Sequence, residues 1–295
     1  AALVARHRRE LHVHCYRMLG SFEEAEDVLQ ETLLRAWDKR DTFDGSSLFR
    51  AWLYRIATNA CLDVIRQKRR RAPALASLAE VPWLQPYPDR LLDEAAIARE
   101  NIELGFIAIV QALPAKQRAV FILRDVLGWS ASETAASLSL SVASCNSALQ
   151  RARATLNKRG PQATVVPSDS ARALVQRFID AHEQEDAALA MAMMADDIRV
   201  TMPPHPFVYD GREQVGALLR DAFGDKRLGS WRLVATSANG MPAAASYLKR
   251  HGDTAYRAFK LDVLRVDERA VLEITTFDAR LFAAFGLPAL WSGHR

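Results

Sequence analysis

The stretch from Trp129 to Leu156, WSASETAASLSLSVASCNSALQRARATL, constrains the chain more than any other. Ser130 followed by Glu133 is a capping box, so a helix over Ala131–Leu138 is predicted. A turn at Ser139–Ser141 leads into a second helix from about Ser141 to Leu156. Val142, Cys145, Leu149, Ala152 and Leu156 fall at three- and four-residue steps and make one buried stripe. Ala143, Ser144, Ser147, Gln150 and Arg151 take the opposite face. These small and polar side chains let a helix lie close to base edges and hydrogen-bond to them. Arg153, Lys158 and Arg159 lie where phosphates would run. A helical hairpin of this kind also occurs without DNA, so the rest of the chain must support a recognition helix.

Length and charge give that support. A chain of 295 residues is long enough for two or three domains, and 49% hydrophobic with 25% charged residues suits a water-soluble one. No apolar run approaches the roughly 18 residues of a membrane span. The opening AALVARHRRE turns charged at once, so no secretory leader is expected, and the start on Ala1 reads as a trimmed end. Cys15, Cys61 and Cys145 lack metal or redox spacing and read as buried free thiols, which fits a cytoplasmic setting. The net charge of +4 is unevenly spread. Residues 1–72 carry +4, 73–112 carry −4, 113–160 carry +5 and 161–295 carry −1. Two basic modules around an acidic connector suggest a polyanionic partner.

The first module, 1–72, is helical throughout. A helix over Leu3–Leu19 ends at Gly20, and Ser21 caps the next, with Glu24 as its box partner. Ala25, Leu29, Thr32, Leu33, Ala36 and Trp37 face one side of that second helix. Glu23, Asp27, Gln30, Leu34 and Asp38 face the other, and a leucine among acids suits a docking surface. DTFDGSS, residues 41–47, is a loop. A helix from about Leu48 to Arg71 follows, with Trp52, Leu53, Ile56, Ala60 and Val64 inward. It shows Asn59, Asp63 and Arg66 along one side and ends in a run of basic residues. Phe43, Trp52 and Tyr54 beside a polar loop and a basic flank match the needs of single-stranded nucleic acid.

Residues 73–112 form a connector with Pro73, Pro82, Pro86 and Pro88, followed by a helix from about Leu91 to Leu113. Trp83, Leu84 and Tyr87 make it apolar enough to dock rather than float. Pro114 opens a helix over Ala115–Val126, which Gly128 ends. After a linker at Gly160-Pro161 the pattern changes. Helices are predicted at Ser170–Glu185 and Ala187–Ala195. Strands follow at Ile198–Met202, Phe207–Tyr209, Ser230–Ser237, Ala243–Arg250, Thr254–Val266 and Val271–Phe277. Helices at Arg212–Phe223 and Ala279–Phe285 complete an α+β domain over 168–295, with helices on one face of a bent antiparallel sheet. In the longest strand Arg257, Phe259, Leu261 and Val263 alternate with Tyr256, Lys260 and Asp262.

SFEEAEDVLQETLLRAW (21–37), SLFRAWLYRIATNACLDVIRQKRRR (47–71) and the run LPAKQRAVFILRDVLGWSASETAASL with VASCNSALQRARATL together resemble an extracytoplasmic-function (ECF) sigma factor of bacterial RNA polymerase. The last 130 or so residues are similar in element order to the SnoaL-like, ketosteroid-isomerase-type cone domain, which a subgroup of those factors carries behind the sigma core. Trp83-Leu84-Gln85-Pro86 resembles the proline-containing linker motif of that subgroup. The resemblance implies a multidomain architecture: two all-α sigma domains, the second with the helix-turn-helix, then the α+β cone. It implies core RNA polymerase, through its β′ clamp helices and β flap, and promoter DNA as partners, with no membrane, metal or cofactor. Asp27, Gln30 and Leu34 would dock on the clamp helices. Phe43, Asp44 and Ser46 would hold a flipped base of the −10 element, and Asn59, Asp63, Arg66 and Gln67 would read or brace that region. Ala143, Ser144, Ser147, Gln150, Arg151 and Arg153 would bind the −35 duplex. Trp83, Leu84, Pro86 and Tyr87 would dock the linker. Two departures stand out: Cys145 replaces a branched aliphatic, and Asp210-Gly211-Arg212 is the nearest match to a glycine-rich segment of some fused members.

The cone domain is expected to act as a built-in regulator that touches the linker, with a small ligand left open. Its candidate pocket residues are His205, Tyr209, Trp231, Tyr247, Lys260 and Asp262. Catalysis would need Asp262 as a base in a dry cavity beside a proton donor. The plainer expectation is an exposed Lys260/Asp262 face without chemistry. Two other functions remain on these residues: a duplex-DNA regulator that works without polymerase, and an isomerase or cyclase tethered to DNA-binding helices.

Overall fold

A computed structural model describes residues 2–43, 49–68, 81–92, 102–157, 169–224 and 227–291. The chain divides into two compact units. One holds residues 1–76, 83–85 and 91–162; the other holds 77–82, 86–90 and 163–295.

The helical unit begins with α1 (Ala2–Leu19) and α2 (Phe22–Asp38). Gly20 joins them at φ +72°, a left-handed conformation that favours glycine. A Cβ here would also meet Gln111 Cδ at 3.0 Å. Ser21 caps α2 by accepting from the Glu24 amide. The Glu24 carboxylate pairs with Lys68 at 2.6 Å rather than closing a capping box. α3 (Phe49–Gln67) lies across both, and Leu53, Ile56, Ala57, Ala60 and Cys61 are buried. Trp52 and Val64 are only half-buried, and Trp37 is 63% exposed with Arg40 over its ring, so these depart from the predicted inward stripes. The end of the basic run, from Arg69, lies outside the described residues.

α4 (Leu104–Gln111) is shorter than predicted: Leu91 ends a 3-10 turn and Ile102 and Glu103 precede the helix, and residues 93–101 lie outside the described residues. α5 (Ala115–Phe121) passes into a π-turn over Ile122–Val126, and Gly128 follows at φ +71°. α6 (Ala131–Leu138) starts with both arms of the Ser130/Glu133 capping box and ends at Ser139 in the left-handed region. α7 (Val142–Asn157) buries Cys145, Ala148, Leu149 and Ala152. Val142 is 44% exposed and Ala148 takes its expected place in the core. All three cysteine thiols are buried. No helix of the described residues is long and apolar enough to cross a membrane.

The two helical modules meet at Arg118, which is fully buried. Its guanidinium donates to Met18 O at 2.6 Å, Gln111 Oε1 at 2.6 Å, Gln111 O at 2.7 Å and Leu113 O at 3.2 Å. Gln111 Nε2 donates to Arg17 O at 3.2 Å. These acceptors lie at the C-terminal ends of α1 and α4, where carbonyls lack helical partners and the dipole favours a cation. Tyr54 of α3 also meets Trp129, with ring centres 5.9 Å apart.

The second unit starts with α8 (Asp169–Glu183) and α9 (Ala187–Ala192). The strands are β1 (Met194–Thr201), β2 (Val208–Asp210), β3 (Gly229–Ala238), β4 (Met241–Arg250), β5 (Tyr256–Val266), β6 (Val271–Asp278) and β7 (Leu290–Trp291). α10 (Gly211–Phe223) follows β2. The sheet runs β2-β1-β6-β5-β4-β3, with β7 on β5. β1 and β6 are parallel, a correction to the all-antiparallel expectation: α10 and four strands separate them, so the chain can cross over. The Ala279–Phe285 helix is reduced to a 3-10 turn over Ala279–Leu281. Trp231, Leu233, Ala244, Leu248, Leu264 and Ile274 pack against Leu174, Val175 and Phe178 of α8 and Val215, Leu219 and Phe223 of α10.

Replacing Arg118 with Met leaves several buried carbonyls without a donor. The expected cost is about 3 kcal/mol of stability, measured by urea denaturation. Burial also pushes the His14 imidazole down from 6.5 to about 3, and Arg17 and Arg50 nearby add to this. The unfolded chain therefore takes up a proton below about pH 6.5 that the folded chain refuses until about pH 3. Stability is lost as pH falls through that window. A His14→Gln variant should lose about 2 kcal/mol less between pH 7 and pH 5 than the parent, in the same denaturation experiment.

Candidate functional site

Three surfaces and one cavity carry the chemistry. The first surface is the outer face of α2. Ala25, Val28, Leu29 and Thr32 turn inward, so Asp27, Gln30 and Leu34 share the exposed side. Leu34 is 63% exposed among acidic neighbours.

The second is the aromatic corner before α3. Phe43 lies 5.4 Å from Phe49 and 5.6 Å from Trp52 between ring centres. Asp44 and Ser46 fall outside the described residues. Asn59, Arg66 and Gln67 are exposed along α3. Asp63 is half-buried and sits 3.2 Å from both Arg35 and Arg66. Tyr54 is buried against Arg50 and Glu10 and does not belong to a stacking surface.

The third is the outer face of α7. Ala143, Ser144, Ser147, Gln150 and Arg151 are exposed together. Ser144 is tied into the helix start, with Ser141 Oγ accepting from its amide at 3.1 Å and donating to its hydroxyl at 2.9 Å. Arg153 is exposed but held by both oxygens of Asp125, at 2.8 and 2.7 Å. Lys158 and Arg159 fall outside the described residues.

The connector is held residue by residue. Gln85 belongs to the helical unit. Its amide donates to Gly20 O at 2.9 Å, and its carbonyl accepts from Tyr16 Oη at 2.8 Å. Its side-chain oxygen accepts from Ser21 Oγ at 2.7 Å and from the Glu23 amide at 3.0 Å, so Gln85 serves as a second cap on α2. Leu84 is buried and Trp83 half-buried. From Pro86 onward the connector belongs to the second unit. The Tyr87 amide donates to Asn239 Oδ1 at 2.7 Å, and the Asn239 amide donates to Tyr87 O at 2.9 Å. The Gly240 amide donates to Asp89 Oδ1 at 2.8 Å. Asn239 and Gly240, at φ +58° and +71°, are the two-residue turn between β3 and β4. Sequence reasoning passed over Gln85, which carries no local signal, and Asn239-Gly240, whose Asn-Gly pair is a hairpin signal.

The cavity lies between the sheet and helices α8 and α10, with a volume of about 330 Å³. Trp231, Phe259, Leu219 and Phe223 form apolar walls, and His182, Lys260, Thr276 and Asp278 are among the polar lining groups. Asp262 does not line the cavity and is fully buried. Lys260 Nζ lies 2.7 Å from Asp262 Oδ2, and Thr276 Oγ1 donates to Asp262 Oδ1 at 2.7 Å. This overturns the expected exposed face: both groups sit on the concave side of the sheet, under the helices. A bulge between Ser246 and Tyr247 breaks the alternation of β5, and Phe259 turns toward Trp231 with ring centres 5.3 Å apart. His205 stands at the rim. Tyr209 packs at the edge of the hydrophobic core, and Tyr247 is buried against Phe282 and Trp291, so neither lines the cavity. Burial holds His182 down at about 4, helped by the charge of Lys260, and it is neutral at pH 7.

Two basic helical modules, one ending in a helix-turn-helix with a polar outer face, followed by a cone-shaped domain, define a DNA-binding transcription protein. The family profile for Sigma-70 region 2 matches residues 3–71, Sigma-70 region 4 matches 104–156, and the SnoaL-like domain matches 175–275. Over 305 aligned residues the chain is 39% identical to the ECF RNA polymerase sigma factor SigG of Mycobacterium tuberculosis, covering 96% of this chain and 82% of that protein. It is 33% identical to the ECF RNA polymerase sigma factor SigW of Bacillus subtilis over 54% of this chain and 87% of that one. The chain belongs to the ECF RNA polymerase sigma factor family. The crystal structure of SigJ, an extracytoplasmic-function sigma factor of Mycobacterium tuberculosis, shares the fold with a TM-score of 0.61 at 19% identity, over 96% of this chain and 97% of that one.

Cutting the Gln85 cap should loosen the start of α2. In Gln85→Ala, hydrogen exchange at the Glu23 amide should speed up at least tenfold while the middle of α3 is unchanged.

Proposed function

We infer that this sigma factor engages core polymerase through Asp27, Gln30 and Leu34. It takes the opened −10 strand on Phe43, Asn59, Arg66 and Gln67, and reads the −35 duplex with Ser147, Gln150 and Arg151. The observation that carries the reading is the shared exposure of Asp27, Gln30 and Leu34 on α2, of Asn59, Arg66 and Gln67 on α3 and of Ser147, Gln150 and Arg151 on α7, while the opposite face of each helix is core. The acidic, leucine-bearing face of α2 has no use in a regulator that works without polymerase, so the sigma reading accounts for more of the surface.

The packed helical unit must open for this work. Elements at −10 and −35 are about 25 base pairs apart, roughly 80 Å along B-form DNA. The modules that read them are joined through Arg118 at hydrogen-bond distance. The cone domain is a candidate controller of that opening. Its Asn239-Gly240 turn grips Tyr87 and Asp89 of the connector, and releasing that grip frees the tether between the modules.

Run-off transcription with core polymerase tests both parts. Arg151→Ala should lower −35-dependent initiation about tenfold or more, the worth of one lost groove or phosphate contact. Leu34→Lys should weaken core binding by about tenfold. Asn239→Ala should raise promoter-specific output at least threefold; output equal to the parent's would remove the cone domain from control. Failure of the full chain to direct initiation at any defined site would overturn the whole assignment of surfaces.

A further inference from the structure

We propose that this chain pairs with a second copy of itself: the basic corner formed by Arg250, Arg257 and Leu290 of one copy docks on the acidic face of α2 of the other. The sheet builds the corner. Arg257 of β5 stands opposite Leu248 of β4, two residues before Arg250, so the pleat puts Arg250 and Arg257 on one face. Leu290 of β7 pairs directly with Arg257 and shares that face. All three residues are exposed, Leu290 by 48%. The turn between β4 and β5 is fixed: Asp253 Oδ2 accepts from the Arg250 amide at 3.2 Å, and the Asp253 amide donates to Arg250 O at 3.0 Å. Arg199, Arg227, Arg232, Arg265 and Arg280 of the same unit each have an acidic partner, whereas Arg250 and Arg257 have no ion-pair partner among the described residues. Their charge is left for a partner outside the chain.

The outer face of α2 has the matching pattern. Asp27, Glu31 and Leu34 follow at steps of four and three residues and form one exposed stripe. Leu34 is 63% exposed. Asp27 has no ion-pair partner among the described residues. Glu31 meets Arg35 in an exposed pair one turn apart, of a kind that adds little stability and exchanges readily for another cation. The two carboxylates sit about 6 Å apart along the helix. The two arginines are diagonal neighbours, about 7–8 Å apart. Each row ends on its leucine, so two cations and a leucine face two acids and a leucine at similar spacing. Every chain carries one surface of each sign, and a two-fold axis closes two equal contacts in a dimer. The face of α2 is the one assigned above to core polymerase, so the dimer holds it away from polymerase. Only that consequence rests on the assignment.

Sedimentation equilibrium of the full chain reads the mass directly. At low salt the mass should rise from one chain toward two as the concentration is raised to about 0.2 mM, a range that reaches weak and transient contacts. At about 0.5 M salt, where charges are screened within a few ångströms, dimerisation should weaken at least tenfold. Arg250→Glu combined with Arg257→Glu should be monomeric throughout, and so should Asp27→Lys combined with Glu31→Lys. Mixed in equal amounts, the two double variants are complementary at both contacts and should pair as the parent does. All four positions are exposed, so the changes leave the core intact. A parent that stays monomeric up to that concentration, a dimer that survives either double variant, or a mixture that stays monomeric overturns the proposal. In run-off transcription, Arg250→Glu with Arg257→Glu should raise output at least twofold at concentrations where the parent is dimeric; unchanged output overturns the inhibitory consequence and leaves the contact standing. The mass measurements contain neither polymerase nor DNA, so failure of the dimer and failure of the core-polymerase assignment are read separately.

Discussion

A single buried guanidinium sets the form of the helical unit. Arg118 sits where α1 and α4 both end, and helix ends leave carbonyls without partners. Burying two such ends together would be costly with apolar side chains alone. Arg118 supplies a cation and several N–H groups at that point, and Gln111 adds one donor and one acceptor. Gly20 belongs to the same arrangement, because its missing side chain gives the Gln111 amide room to lie against the turn. The contact made by Arg118 is polar and directional.

The connector shows the same economy. Gln85 spends its backbone and side chain on the Gly20–Glu23 turn, and Tyr87 and Asp89 spend theirs on the Asn239-Gly240 hairpin. Neighbouring residues of one short segment are thus committed to different units of the protein. The prolines around them remove amide donors and fix φ, so few conformations compete with the held one.

The cone domain keeps a charged pair beside a mainly apolar cavity. Such pairs rarely add net stability, because the loss of hydration offsets the attraction. Their use is orientation: Asp262 and Thr276 hold Lys260 in one place inside walls that carry no direction of their own. The fold alone does not decide between catalysis and binding.

The order of helices, the helix-turn-helix with its capping box, the exposed faces of α2 and α7 and the α+β character of the last domain were all legible along the chain. Each follows from local periodicity or capping, which a short window contains. The failures have equally local causes. Trp37 and Val142 obeyed the helical period but lay at the margin of their stripes, 63% and 44% exposed. Phe259 obeyed the strand period until a bulge shifted it. Arg118, Gln85 and the Lys260–Asp262 pair were decided by the tertiary structure alone. Their partners are helix ends, turns and strands distant in sequence, and a buried charge is tolerated only where such partners converge.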